Sequence, residues 1–150
     1  LVQNETSNGT QLTMPALRSL RSDFSALVAV DAVSSMAGVA FQWELADVWF
    51  ASVQKCFGLP AGLAVLVYSP AALRRAEEIG DRAYYNSLLF LHENFEKNQT
   101  PYTPNGLGIY CLMRMLQQVP PIAEVHAQTK RRAADWYQFL GEEWQSTIPP

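Results

Sequence analysis

The sequence predicts an α/β fold, and three observations carry that reading. Continuously apolar runs of strand length stand at residues 26–30, 48–53 and 63–68, with the composition of strands covered on both faces. Stretches of helical composition alternate with these runs and follow them, which is the pattern of layered strands and helices. The first two runs close on Asp31 and on Gln54-Lys55, and in such folds ligands sit at the carboxyl ends of the strands.

Each element follows in order. Residues 1–4 read as the end of a buried strand entering a polar turn at Thr6-Ser7-Asn8-Gly9. Residues 14–21 have helical composition, with Pro15 suited to a first helical position. The run 26–30 is a strand ending at Asp31, and 48–53 a second, parallel one ending at Gln54-Lys55 before a loop built on Gly58, Pro60 and Gly62. Residues 63–68 make a third strand. Ser69 is a candidate N-cap, with Pro70 next to it, for a helix running to about Ile79. Residues 84–95 read either as a short strand or as an aromatic-rich excursion. Pro101 and Pro104 make residues 98–105 a loop. Residues 106–118 read as a mostly buried helix, and 120–140 as a longer amphipathic one carrying Ala123, Ala127, Ala133, Trp136, Phe139 and Leu140.

Composition narrows the function. A length of 150 residues suits one domain with a sizeable core, or a piece of a larger one. A net charge of -3, with basic residues scattered, gives no footprint for nucleic acid. Cys56 and Cys111 are too few for a disulfide framework or zinc site; Cys56, directly after Lys55, reads first as a small buried hydrophobe and second as a reactive thiol. His92 and His126 form no ligand spacing, so no metal is expected. No apolar run reaches the length of a membrane span and no signal peptide is legible, so a cytoplasmic location is expected. The sequons at Asn4, Asn8 and Asn98 read as chance matches or site residues. A start at Leu1-Val2-Gln3 and an end at Ile148-Pro149-Pro150 suggest an internal segment of a longer protein.

Lys55 is the residue that points to chemistry. Lysine is scarce, the others being Lys97 and Lys130, and a hydrated amine is seldom set beside so apolar a run. A lysine that condenses with a carbonyl needs that setting, because burial and nearby positive charge lower its pKa. The plainer reading is a lysine that snorkels from a strand end to water. Asp31 ends the neighbouring strand, where it could cap the next turn or pair with a cation. Pyridoxal phosphate chemistry needs a lysine, a carboxylate for the pyridine nitrogen, and hydroxyls or amides for the phosphate and ring oxygen.

Four ordered motifs resemble the class V aminotransferases. They are Asn4-Glu5-Thr6-Ser7-Asn8-Gly9, then Val30-Asp31-Ala32-Val33-Ser34-Ser35, then Ser52-Val53-Gln54-Lys55 with Gly58 and Pro60-Ala61-Gly62, and last Asn98-Gln99-Thr100-Pro101-Tyr102-Thr103-Pro104. The resemblance covers nearly the whole chain and is nearest to the family's phosphoserine branch. It implies the second half of a pyridoxal-phosphate-binding large domain, a mixed, mostly parallel sheet with flanking helices, over residues 1–120. Residues 121–150 would lead toward a small domain.

The roles it implies are these. Lys55 is the Schiff-base lysine and Asp31 the partner of the pyridine nitrogen. Thr6 bonds the ring's phenolic oxygen and Gln54 contacts the phosphate. Gln99 and Thr100 cross a homodimer interface to the other subunit's phosphate. The substrates implied are an amino acid and a 2-oxo acid, O-phosphoserine with 2-oxoglutarate first and alanine, serine or glyoxylate second.

Three positions depart from the pattern. Gln99 stands where asparagine is usual, and Leu59 adds a residue between Gly58 and Pro60, as in alanine–glyoxylate aminotransferases. Gln54 occupies the place of the stacking histidine of cysteine desulfurases, which argues against desulfuration. The resemblance also implies that the phosphate loop, the ring-stacking aromatic and substrate arginines lie outside this segment, so that the segment alone is inactive. A cofactor-free α/β scaffold, with Lys55 and Asp31 merely pairing or capping, is the non-enzyme alternative.

Overall fold

The computed structural model describes residues 1–143, so Ile148, Pro149 and Pro150 lie outside the described residues. Its first element is a small antiparallel hairpin, Asn4–Glu5 (β1) against Thr10–Gln11 (β2). The turn is set by its polar residues. Asn8 Oδ1 accepts from the Thr10 N–H at 3.0 Å and the Thr10 hydroxyl at 2.7 Å, and Gly9 takes a φ of +72° that strains any side chain. Thr13 then caps the helix Met14–Asp23 (α1) by accepting from the Ala16 N–H, with Pro15 in the first turn.

Ala29–Asp31 (β3) and Val48–Ser52 (β4) pair in parallel, with Asp31 opposite Phe50. On the other side of β3 the N-terminal residues add to the sheet, Val2 bridging Asp31 in parallel. Ala64–Tyr68 (β5) pairs with β4 but runs antiparallel, Ser52 opposite Ala64. The third strand is therefore a return and not another parallel strand. Residues 53–63 hold no helix, and so short a connection cannot make the crossover that parallel pairing demands.

Burial differs from the expectation of strands covered on both faces. Trp49 and Ala51 are buried while Phe50 between them and its cross-strand partner Leu66 are exposed, so one face of β4–β5 is covered in this chain. β3 also begins later than the apolar run. Val28 gives its N–H to Asp47 Oδ2 at 2.9 Å and its carbonyl to the Asp47 N–H at 2.8 Å, while Leu27 is exposed.

The core lies under the buried face, where Leu17, Val30, Met36, Leu45, Trp49, Val53 and Phe57 cluster. Trp49 stacks on Phe41 at 4.7 Å and donates its indole N–H to the Trp43 carbonyl at 3.0 Å, so its polar atom is satisfied. At the amino ends of β3 and β4, buried Asp47 pairs with Arg21 at 3.0 Å and accepts from the Ser69 hydroxyl at 3.1 Å.

Ser69 caps Pro70–Ile79 (α2), which ends on Gly80 in the left-handed region. The ambiguous aromatic stretch resolves as helix Leu88–Glu96 (α3), because Ser87 accepts from the Phe90 N–H and starts it. Asn105 caps Gly106–Gln118 (α4), and Ile122–Glu143 (α5) follows. α4 departs from expectation in having no buried residue: Leu112 and Met115 pack on the core, while Leu107, Tyr110, Met113 and Leu116 are exposed. No described helix is long and apolar enough to cross a membrane.

Candidate functional site

The parallel pairing decides where the reactive residues meet. Residues 1–3, β3 and β4 run the same way, so the chain leaves all three at one edge of the sheet. Thr6, Asp31 and the Gln54-Lys55 pair follow from those three exits. The strand register puts Thr6, Asp31 and Lys55 after adjacent exits at one edge, the placement the sequence suggested for those three.

Asp31 is the fixed point. Its N–H donates to the Leu1 carbonyl and its carbonyl accepts from the Gln3 N–H, both at 2.8 Å. Its Oδ1 accepts from the Val33 N–H at 2.9 Å, which turns the chain out of the sheet. The capping reading of this aspartate is thus realised with one oxygen. Oδ2 makes no hydrogen bond among the described residues, and the side chain is half-buried.

Lys55 is more open than its sequence neighbours suggest. β4 ends at Ser52, and Val53 turns back into the core while Gln54 and Lys55 face solvent. The turn closes with the Gly58 N–H on the Lys55 carbonyl at 2.9 Å and the Leu59 N–H on the Val53 carbonyl at 3.1 Å. Gly58 sits at φ +68°, which reserves that position for glycine. Of the two readings of Lys55, the one that brings its amine to water describes its exposure in this chain, where the ammonium's neighbours are an acid and a thiol.

Both neighbours feel its charge. Hydrogen bonds from the Ser7 hydroxyl and N–H, at 2.6 and 2.9 Å, hold the Glu5 carboxyl below its ordinary range, with a smaller pull from Lys55. Burial pushes the Cys56 thiol up, and the Lys55 charge partly opposes it. Cys56 is exposed as a residue, correcting its reading as a buried hydrophobe, but its sulfur lies 3.5 Å from the Ser34 carbonyl.

Thr6 is exposed on the hairpin turn. Beside it, Asn4 Oδ1 is buried and accepts from no described residue, as does Oε1 of buried Gln3. Such orphaned acceptors leave room for a donor from outside the chain. Gln99 and Thr100 stand apart from this edge in their bonding. The Gln99 N–H donates to the Asn94 carbonyl at 2.9 Å, and the Thr100 hydroxyl to the Tyr102 carbonyl at 2.6 Å. Their loop is exposed and pinned by Tyr102, stacked on Tyr85 at 4.7 Å.

The donor set at the edge fits pyridoxal phosphate. It offers a carboxylate with a spare oxygen, an accessible primary amine, a hydroxyl and an amide, carried on the chain that follows three adjacent strand exits. Sequence reasoning gave Glu5 no role of its own, although it stands within the first motif, where a carboxylate two residues before a serine was the signal available.

Comparison with known proteins points the same way. No family model matches the chain. It is 38% identical over 120 residues to the phosphoserine aminotransferase of Rhodococcus opacus, covering 77% of this chain and 31% of that protein. The crystal structure of a phosphoserine aminotransferase from Cytophaga hutchinsonii superposes with a TM-score of 0.85 and 31% identity, over 98% of this chain and 42% of that one. An alanine–glyoxylate aminotransferase from Nostoc shares the fold, with a TM-score of 0.78 at 20% identity over 94% of this chain and 39% of that one. The chain thus spans well under half the length of these relatives.

Proposed function

The chain belongs to the class V aminotransferase family, and from that premise we propose that its parent protein is a pyridoxal-phosphate transaminase acting on O-phosphoserine and 2-oxoglutarate. The observation that carries this reading is the common edge of β3 and β4, which sets Asp31 and Lys55 at adjacent exits of one parallel pair. When bound, the cofactor supplies an aldehyde and a ring that accepts electrons.

The chain's own residues then have definite work. Asp31, oriented by the Val33 N–H, would pair its remaining carboxylate oxygen with the protonated ring nitrogen. Thr6 would donate to the ring oxygen, and Gln54 would give its amide to the phosphate. Lys55 Nζ would hold the cofactor at its aldehyde, and as a free amine it would be the base that accepts the proton from the substrate's α-carbon. The water exclusion such a lysine needs is assigned to the part of the relatives' length that this chain does not span. Residues 1–120 are assigned to the large domain and 121–150 to the helix leading from it.

A cytoplasmic homodimer completes the proposal. Gln99 and Thr100 occupy an exposed loop held rigid by the Tyr85–Tyr102 stack, in keeping with a role in a second copy's site. The test uses the full-length protein. Pyridoxal phosphate should give a near-visible absorbance band, and borohydride should fix the cofactor's mass on the peptide carrying Lys55. Lys55→Ala should abolish that attachment; persistent fixed cofactor in the variant would reject the assignment.

Leu59 favours a second reading, a class V enzyme using alanine, serine or glyoxylate. The extra residue is built into the turn, its N–H on the Val53 carbonyl and its side chain against the core. A kcat/KM for alanine above that for O-phosphoserine would select this reading.

A further inference from the structure

We propose that His126, on α5, is a positioning residue that latches the loop backing both Asp31 and Lys55. Its Nδ1 accepts the Ala40 N–H at 2.9 Å, joining positions 86 residues apart in the chain. To accept this bond, Nδ1 must present its lone pair to the Ala40 N–H. Ala40 is half-buried, and its N–H requires a partner that the loop's own turns do not supply.

The latched loop, residues 32–40, is wound on itself. The Ser35 and Met36 N–H groups donate to the Ala32 carbonyl at 3.1 and 2.8 Å, and those of Gly38 and Val39 to the Ser35 carbonyl at 2.8 and 2.9 Å. Within it Ala37 is held at φ +75°, a conformation that persists in a non-glycine residue only when its surroundings enforce it.

The Asp31 carboxylate and Cys56, the residue next to Lys55, both rest on this loop. At its start the Val33 N–H orients the Asp31 carboxylate. In its middle the Ser34 carbonyl and Gly38 abut the sulfur of Cys56, the residue after Lys55. A single side chain on the long terminal helix therefore closes a path from α5 to Asp31 and to the turn carrying Lys55, whose catalytic roles rest on the reading above. Motion of α5 that broke the bond would loosen both supports together.

The test needs no cofactor, so its outcome is separable from that of the proposed function. In the full-length protein, hydrogen exchange at the Ala40 amide and iodoacetamide alkylation of Cys56 are followed by mass, with Cys111 as internal reference. His126→Leu removes the acceptor and should speed both by on the order of fivefold, the yield of one hydrogen bond. His126→Asn places an amide oxygen that can accept the same N–H and should restore both. A rapidly exchanging Ala40 amide in the unaltered protein overturns the proposal, whatever the variants do. So does an unchanged Cys56 rate in His126→Leu, an Asn variant no better than Leu, or a Cys111 rate that rises equally. Protection that follows this pattern in a protein showing no cofactor band supports the latch while rejecting the transaminase reading.

Discussion

Gly38→Ala tests how closely the turn at Lys55 is seated. A Cβ at position 38 would stand 2.9 Å from Cys56 Sγ and 3.3 Å from Cys56 Cβ. Rotating the thiol away relieves the first contact but gives up the Ser34 carbonyl, 3.5 Å from Sγ, and leaves the second. Overpacking a filled site costs about 1–3 kcal/mol, and the partial escape by rotation places this change near the lower end, about 1 kcal/mol. Attachment at Lys55 fixes the turn in its seated position while the free protein lets it shift, so the cost falls on the bound form. With 1.4 kcal/mol tenfold in an equilibrium constant, the dissociation constant for pyridoxal phosphate should rise about fivefold. The assay is an absorbance titration of the full-length protein, with Tm read in parallel. Adding Cys56→Ala removes the sulfur and should recover more than half of the loss, a coupling expected between touching residues. An unchanged dissociation constant in Gly38→Ala, or a double variant whose losses simply add, would refute the steric account.

Three other predictions are independent of that one. Glu5 should titrate below the ordinary carboxylate range, and Ser7→Ala should bring it back up, as read by carboxyl carbon NMR. Because its folded pKa is depressed, the stability that Glu5 contributes is present above its unfolded value and is lost as pH falls through the folded value. Titration of Glu5 at its ordinary position in the unaltered protein would contradict the Ser7 bonding. Asp47→Ala leaves Arg21, the Val28 N–H and the Ser69 hydroxyl without their common acceptor, and should destabilise by about 3–5 kcal/mol in a denaturant midpoint. A loss typical of a surface substitution would show that the buried carboxylate does not tie α1, β3 and α2 together. Thr6→Val should weaken cofactor binding by about 1 kcal/mol, one hydrogen bond, without preventing borohydride fixation at Lys55. Unaltered affinity in Thr6→Val would remove the hydroxyl from the site.

What the sequence made legible was whatever local chemistry decides. Thr13, Ser69 and Gly9 each specify their cap or turn through their own side chain or its lack, and Ser69 and the turn ending at Gly9 could be read directly. The common edge of Asp31 and Lys55 was legible because two apolar runs ended on polar residues. Direction was not: β5 resembles its neighbours in composition, and only the helix-free connection at 53–63 forces it antiparallel. Helix α3 was obscured by aromatic residues, which favour strands, although Ser87 marked its start. Exposure was misread at α4 and Cys56 for one reason. An apolar neighbourhood in sequence does not state which of its residues the chain itself covers. The bond from Ala40 to His126 could not be foreseen at all, since neither residue carries a local signal and the contact exists only once α5 has packed.

The most direct test of the central claim is the 15N resonance of the cofactor's ring nitrogen in the full-length protein, with the cofactor attached at Lys55. The account predicts the protonated pyridine position, moving to the neutral position in Asp31→Ala while attachment at Lys55 survives. A neutral ring in the unaltered protein, or a protonated one untouched by loss of the Asp31 carboxylate, would show that these two residues do not hold opposite ends of one cofactor.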